Sequence, residues 1–278
     1  MNRADRRAVQ AVGRAAPAIG RAIEVIAAAL SRGGRLFFVG AGTSGRLGVI
    51  EAAECPPTFD TPPRLVRALI AGGRGAMFRS VEGAEDDGRD GARQIARPAR
   101  PGDVVVGIAA SGVTPFVRGA LAQARRRQAA TVLVTANPSV ARRAANVVIV
   151  LDVGPEVLAG STRLKGGTAT KLVLNTLTTG AFARLGKVYE NRMVDLRPRS
   201  NKLRARARRL VMDIGGASER EAARLIELAS GRTKVAIVMA RVGVTAKDAR
   251  QRLRTAGGVL RLVLNLPSAR IRRGRARG

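Results

Sequence analysis

Five short runs of the chain are apolar with no polar face. They lie at 35–39 (RLFFV), 65–70, 103–109 (DVVVGIA), 131–135 and 147–151. A strand with one wet face alternates apolar and polar residues, whereas one covered on both sides does not. Between these runs the apolar positions take helical spacing, over 5–31, 74–82, 87–96 and a stretch ending at Gln128. The alternation predicts an α/β fold, a parallel sheet sandwiched between two helical layers. After 160 the strand pattern stops. A long helix is predicted over 167–185, an irregular stretch over 186–201, and then helices only. Ser218 to Glu221 (SERE) is a capping-box start, Thr245 to Asp248 (TAKD) resembles another, and Gly257-Gly258 closes the segment. The organisation expected is a domain over 1–204 with its N-terminal helix, a small helical subdomain over 205–267, and a basic tail over 268–278 that reads as disordered.

Composition narrows the function. No apolar run approaches the roughly 20 residues that span a bilayer, and the basic helical N-terminus lacks the apolar core of a signal peptide. Cys55 is the only cysteine, which excludes an internal disulfide and fits a reducing cytoplasm. There is no histidine. Ser-His-Asp and Cys-His catalysis and the commonest metal ligand are therefore absent; no metal site is expected, and Cys55 reads as a buried structural thiol. Acid and base work falls to Glu, Asp, Lys, Tyr or water. The charge is +30, from 50 Lys+Arg against 20 Asp+Glu. The arginines are scattered and aromatics are only 3%, leaving few platforms for stacking bases. Nucleic acid is not expected as the main partner. The cluster from Arg270 to Arg277 alone suggests weak, salt-sensitive polyanion binding.

The chemistry concentrates at 40–63. GAGTSG (40–45) follows a strand and opens a helix, as a dinucleotide loop does. The ribose-binding carboxylate is missing, however, since the next strand ends Ile70-Ala71-Gly72-Gly73. Gly42, Thr43 and Ser44 instead suit a phosphomonoester, seated on loop amides, two hydroxyls and a helix N-terminus. Further hydroxyl loops follow later strands, at Ser111 and Thr114 and at Ser161 with Lys165. In a parallel sheet such loops gather on one edge. The helix after the glycine loop is expected to end at Glu54, against Pro56-Pro57. There the helix dipole and partial burial would raise a carboxyl pKa toward general-acid duty, with Glu51 a competitor one turn earlier. A second acidic corner holds Glu82, Glu85, Asp86 and Asp87.

These motifs together resemble the N-acetylmuramic acid 6-phosphate etherases of the sugar isomerase (SIS) domain superfamily. The residues that carry the likeness are GRLFFVGAGTSGRLGVIEAAECPPTF (34–59), SVEGAEDD (80–87), DVVVGIAASGVTPFV (103–117), GSTRLKGGTATKLVLNTLTTG (160–180) and GKVYENRMVDL (186–196). The resemblance implies a five-stranded, flavodoxin-like core with a helical C-terminal unit, a homodimer, and a cytoplasmic lyase that uses no cofactor. It implies cleavage of the C3 D-lactyl ether of a 6-phosphosugar: the ring opens, the C2 proton leaves, lactate departs from C3, and water adds. On that family pattern Glu54 is the acid and Glu85 the C2 base, with Gly42, Thr43, Ser44, Ser111, Thr114, Ser161 and Lys165 around the substrate. The chain departs from the family at Val113, where SGRTP would carry arginine, and it starts late relative to the family's N-terminal segment. The alternative from another class is a phosphosugar sensor without turnover, as in the related glucokinase regulatory proteins. An aldose–ketose isomerase is a third reading, and it leaves ECPPT and EGAED unexplained.

Overall fold

Five strands make one parallel sheet. In chain order they are β1 (Leu36–Gly40), β2 (Val66–Ile70), β3 (Val104–Ile108), β4 (Ala130–Thr135) and β5 (Val147–Val150), and in space they lie β2-β1-β3-β4-β5. This flavodoxin-like order reverses direction between β1 and β3, whose register pairs Gly40 with Ile108. The computed structural model describes residues 1–139, 142–198 and 200–265, so the expected tail at 268–278 lies outside the described residues. β1 and β3 are buried along their whole length, as their unbroken apolar pattern predicts.

Two layers of helix cover the sheet. Helices α1 (Asn2–Arg14), α2 (Ala16–Ser31), α3 (Gly42–Phe59) and α6 (Lys165–Arg184) gather on one side, and α4 (Gly88–Ala96) and α5 (Pro115–Arg126) on the other. On the α5 side, Phe37, Val39, Val105 and Leu133 from the strands meet Ile95, Phe116, Val117 and Leu121. On the α3 side, Gly48 sits directly over Phe38 and Ile108.

Several elements differ from expectation. The single N-terminal helix is two, broken at Ala15 ahead of Pro17 in the first turn of α2, where a proline ring is tolerated. The helix predicted over 74–82 is absent. Gly73 takes φ +72°, only a 3-10 turn follows at Arg74–Met77, and the chain then passes through a bend and turns to a second 3-10 turn at Ala84–Asp86. The helix expected to stop at Glu54 continues through Pro56 and Pro57 to Phe59. Two lost intrahelical bonds near a C-terminus are offset by burial of Cys55 and Phe59, the latter stacked on Phe182 at 4.6 Å.

The chain divides into two compact units, with the second beginning at Leu185 instead of at the 204/205 boundary expected. That second unit opens with a short hairpin, β6 (Val188–Tyr189) and β7 (Arg192–Met193). Helices α7 (Asn201–Gly215), α8 (Glu219–Leu228), α9 (Thr233–Val242), α10 (Ala246–Thr255) and α11 (Leu260–Leu264) follow. The predicted starts hold: Ser218 accepts from the Glu221 amide at 3.3 Å and Thr245 from the Asp248 amide at 3.2 Å. Its apolar core runs from Val194 through Leu210, Val211 and Ile237 to Val263. Asp195 lies between the ammoniums of Lys187 at 2.6 Å and Lys234 at 3.3 Å. Burial alone would raise Asp195, but the two cations overcome it and hold the carboxyl low. Burial pushes Lys234 below the ordinary lysine range against the pull of Asp195. Among the described residues no helix is long and apolar enough to cross a membrane.

Candidate active site

The sheet order places the candidate site. Where strand order reverses, the two crossovers leave β1 and β3 in opposite directions and open a crevice at their C-terminal ends. The first two hydroxyl loops leave from Gly40 and Ile108, paired neighbours in the sheet. Gly42 takes φ +50° to turn the chain from β1 into α3. Gly45 lets the helix cross the strand end so closely that a Cβ there would lie 2.6 Å from the Gly40 carbonyl oxygen. Thr43 and Ser44 therefore stand in the first turn of α3, over the end of β1. On the other side Ser111 and Thr114 have their hydroxyls 3.5 Å apart. The loop is held by Asn137, which donates to the Ser111 carbonyl at 2.9 Å. Val113 is exposed, and its amide donates to Ser111 Oγ at 3.3 Å.

The three helix openings on this edge are not equivalent. Neither Ala41 before α3 nor Thr114 before α5 caps its helix with a side chain, so the first amides are open to an anion. The opening of α6 is filled from within. Glu156 accepts from the amides of Lys165 at 3.1 Å and Gly166 at 2.8 Å. Ser161 lies in the loop before α6, and the site of a Cβ on Gly167 is 3.6 Å from Thr43 Cγ2, so the first turn of α6 lies against the first loop. Lys165, by contrast, is 1% exposed. It donates to the carbonyls of Val153 at 3.0 Å and Pro155 at 2.6 Å, so its ammonium is turned into the protein, away from the hydroxyls.

The carboxylates separate by environment. Glu51, not Glu54, is the buried one. It accepts from Thr178 Oγ1 at 2.5 Å and Asn175 Nδ2 at 2.6 Å and ties α3 to α6. Burial pushes its carboxyl above the usual range despite those bonds and the charge of Lys171. Glu54, one turn on, is exposed. Glu85 is also exposed, on the 3-10 turn that rests against α5, the helix that follows the second hydroxyl loop. Two of its acidic neighbours are engaged elsewhere: Glu82 accepts from Ser80 at 2.6 Å, and Asp87 caps α4 through the Asp90 amide at 2.8 Å. Cys55 is buried and donates to the Glu51 carbonyl at 3.3 Å. Burial and the nearby carboxylates push its thiol up to about 12. The expected result is that a thiol-specific disulfide reagent at pH 8 titrates no fast thiol in the native protein and one per chain in denaturant. Rapid native labelling would mean that this helix opens readily.

Residues 18–125 match the glucokinase regulatory protein N-terminal SIS domain. A phosphoheptose isomerase from Francisella tularensis shares the fold at a TM-score of 0.50 and 19% identity, over 63% of this chain and 93% of that one. Curated relatives are far nearer in sequence. The N-acetylmuramic acid 6-phosphate etherase of Symbiobacterium thermophilum is 54% identical over 245 residues, 88% of this chain and 82% of the relative. The chain belongs to the N-acetylmuramic acid 6-phosphate etherase family. A second etherase, from Gloeothece citriformis, is 50% identical over 266 residues, 95% of this chain and 87% of that one. The sequence pattern did not single out Asn137, Glu156 and Arg46, whose side chains hold the loops and helix openings at this edge. Only Arg46 carried a local signal, since it lies in GAGTSGR.

Proposed function

We propose that the protein is a carbon–oxygen lyase that converts N-acetylmuramic acid 6-phosphate to N-acetylglucosamine 6-phosphate and D-lactate. The observation that carries the reading is near 50% identity to named etherases over almost the whole chain. Two uncapped helix openings at the sheet's switch point are a suitable seat for the phosphate. Thr43, Ser44, Ser111 and Thr114 supply the hydroxyls, with Ser161 at the rim. Lys165 serves by bracing the loop before α6. The base is Glu85, which removes the C2 proton made acidic by the C1 aldehyde. The acid is Glu54, which protonates the lactate oxygen as the C3–O bond breaks. Water then adds at C3. A phosphosugar sensor without turnover is not favoured, because the named relatives are etherases and both carboxylates are retained.

Glu54 sets a condition on this reading. An α-helix rises 1.5 Å per residue, so Glu54 lies about 15 Å along α3 from Ser44. A hexose with its phosphate is shorter than that. On our reading Glu54 serves a sugar held by a second copy of the chain, and the working enzyme is a homodimer. Its setting is the cytoplasm, where 6-phosphosugars arise.

Isotopes test the chemistry. In deuterated water the product should carry deuterium at C2. In ¹⁸O water the label should enter the C3 hydroxyl of the product and not the lactate. Label in lactate would mean cleavage on the other side of the ether oxygen, and no lactate at all would end the etherase reading.

A further inference from the structure

Arg46 stands two residues after Ser44 on α3, yet its side chain leaves the helix for a distant segment. Nε donates to the Met77 carbonyl and Nη2 to the Arg79 carbonyl, each at 3.1 Å. Those carbonyls belong to the stretch between β2 and the turn that carries Glu85. Otherwise the middle of this stretch is thinly held. Phe78 is 89% exposed and Val81 45% exposed; Val81 rests on Gly72, and Ser80 donates to nearby Glu82. The far end is fixed by Asp87 capping α4 and by Ala84 against the apolar cluster around Phe116. Beyond buried Ala76 in the first 3-10 turn, Arg46 is thus a long-range hydrogen-bonded brace on this stretch. Its guanidinium presents donors in a rigid fork, which suits two carbonyls of one segment.

We propose that Arg46 is a positioning residue, which fixes where Glu85 stands relative to the phosphate seat at the start of the same helix. The inference rests on the etherase reading for its consequence in catalysis and on the two hydrogen bonds for its mechanism. One helix carries both the anchor, Thr43 and Ser44, and the strut for the loop that brings the base. Moving a base by about 1 Å costs about 10²-fold in rate even when the substrate still binds. Lysine at 46 would keep the charge and stem, but its donors turn on a flexible stem and lack the fixed fork that spans two carbonyls of one segment.

The experiment uses the full chain as wild type, Arg46→Lys and Arg46→Ala. It combines lactate-release kinetics, binding of N-acetylglucosamine 6-phosphate and hydrogen exchange of the backbone amides. The expected result is that Arg46→Ala lowers kcat by about 10–100-fold, with KM and product affinity within about 3-fold of wild type. Arg46→Lys should fall between the two. Exchange should speed up over 77–86 and stay unchanged in β1 and β3. A kcat within 2- to 3-fold of wild type in both variants would overturn the proposal, and so would a 10-fold or larger loss of product affinity, which would make Arg46 a substrate ligand. If Arg46→Ala does not fold, Arg46→Lys decides by the same split between kcat and KM. If wild type itself releases no lactate, the etherase reading is what has failed. Exchange over 77–86 then decides the brace alone: faster exchange in the variants upholds it, and unchanged exchange ends it.

Discussion

Replacing Glu85 with Gln is expected to lower the rate of lactate release by about 10²–10⁴-fold, and replacing Glu54 with Gln to do the same. Each amide keeps the size of the side chain and removes its proton chemistry, so the loss is one of acid–base catalysis. Both residues are exposed, so folding should be little affected. The sharper test mixes defects. A chain with Thr43→Val and Ser44→Ala lacks the phosphate hydroxyls but keeps Glu54; a Glu54→Gln chain is its complement. Each is inactive alone. If Glu54 serves the neighbouring copy, a mixed dimer holds one fully impaired site and one intact site. Random assortment of equal amounts then recovers about a quarter of wild-type activity, as two-fold symmetry requires. No recovery would confine Glu54 to the sugar of its own chain or remove it from the reaction.

The largest expected effect on stability lies at the opposite edge of the sheet. Asp103 is fully buried and accepts from the Arg35 amide at 2.8 Å, the Arg35 guanidinium at 2.6 Å and the Arg100 amide at 3.0 Å. It clips the starts of β1 and β3 together and holds the turn before β3. Asp103→Ala strands a largely buried guanidinium and two amides, which costs about 3–5 kcal/mol. The unfolding midpoint of the first unit is expected to drop by about 10 °C in calorimetry. The exposed pair Arg184–Glu24, at 3.2 Å, is the control: Glu24→Ala should change stability by less than about 1 kcal/mol. Equal effects from the two substitutions would mean that burial does not govern the strength of the Asp103 clip.

The strands could be read from sequence because a sheet covered on both faces leaves unbroken apolar runs, and Leu36–Gly40 and Val104–Ile108 are buried throughout. The hydroxyl loops followed from the strands, since parallel strands put their exits on one edge. What resisted reading depends on contacts far apart in the chain. The stretch at 74–82 has helical spacing, but Gly73 and Gly75 weaken a helix there and Arg46 draws its carbonyls outward, away from intrahelical bonding. Two prolines would end an isolated helix at Glu54. Here the packing of Cys55 and Phe59 carries α3 past them, so Glu54 is not at the helix end where dipole reasoning put it. Lys165 has the look of an anion ligand, and only the fold reveals that the carbonyls of Val153 and Pro155 claim it.

Glu156 has one more effect on what this edge can accept. By lending its own carboxylate to α6, the protein plugs one of three neighbouring sockets and puts like charge where a second anion would come to rest. An anion arriving at this edge is left the openings of α3 and α5 and meets like charge at the third.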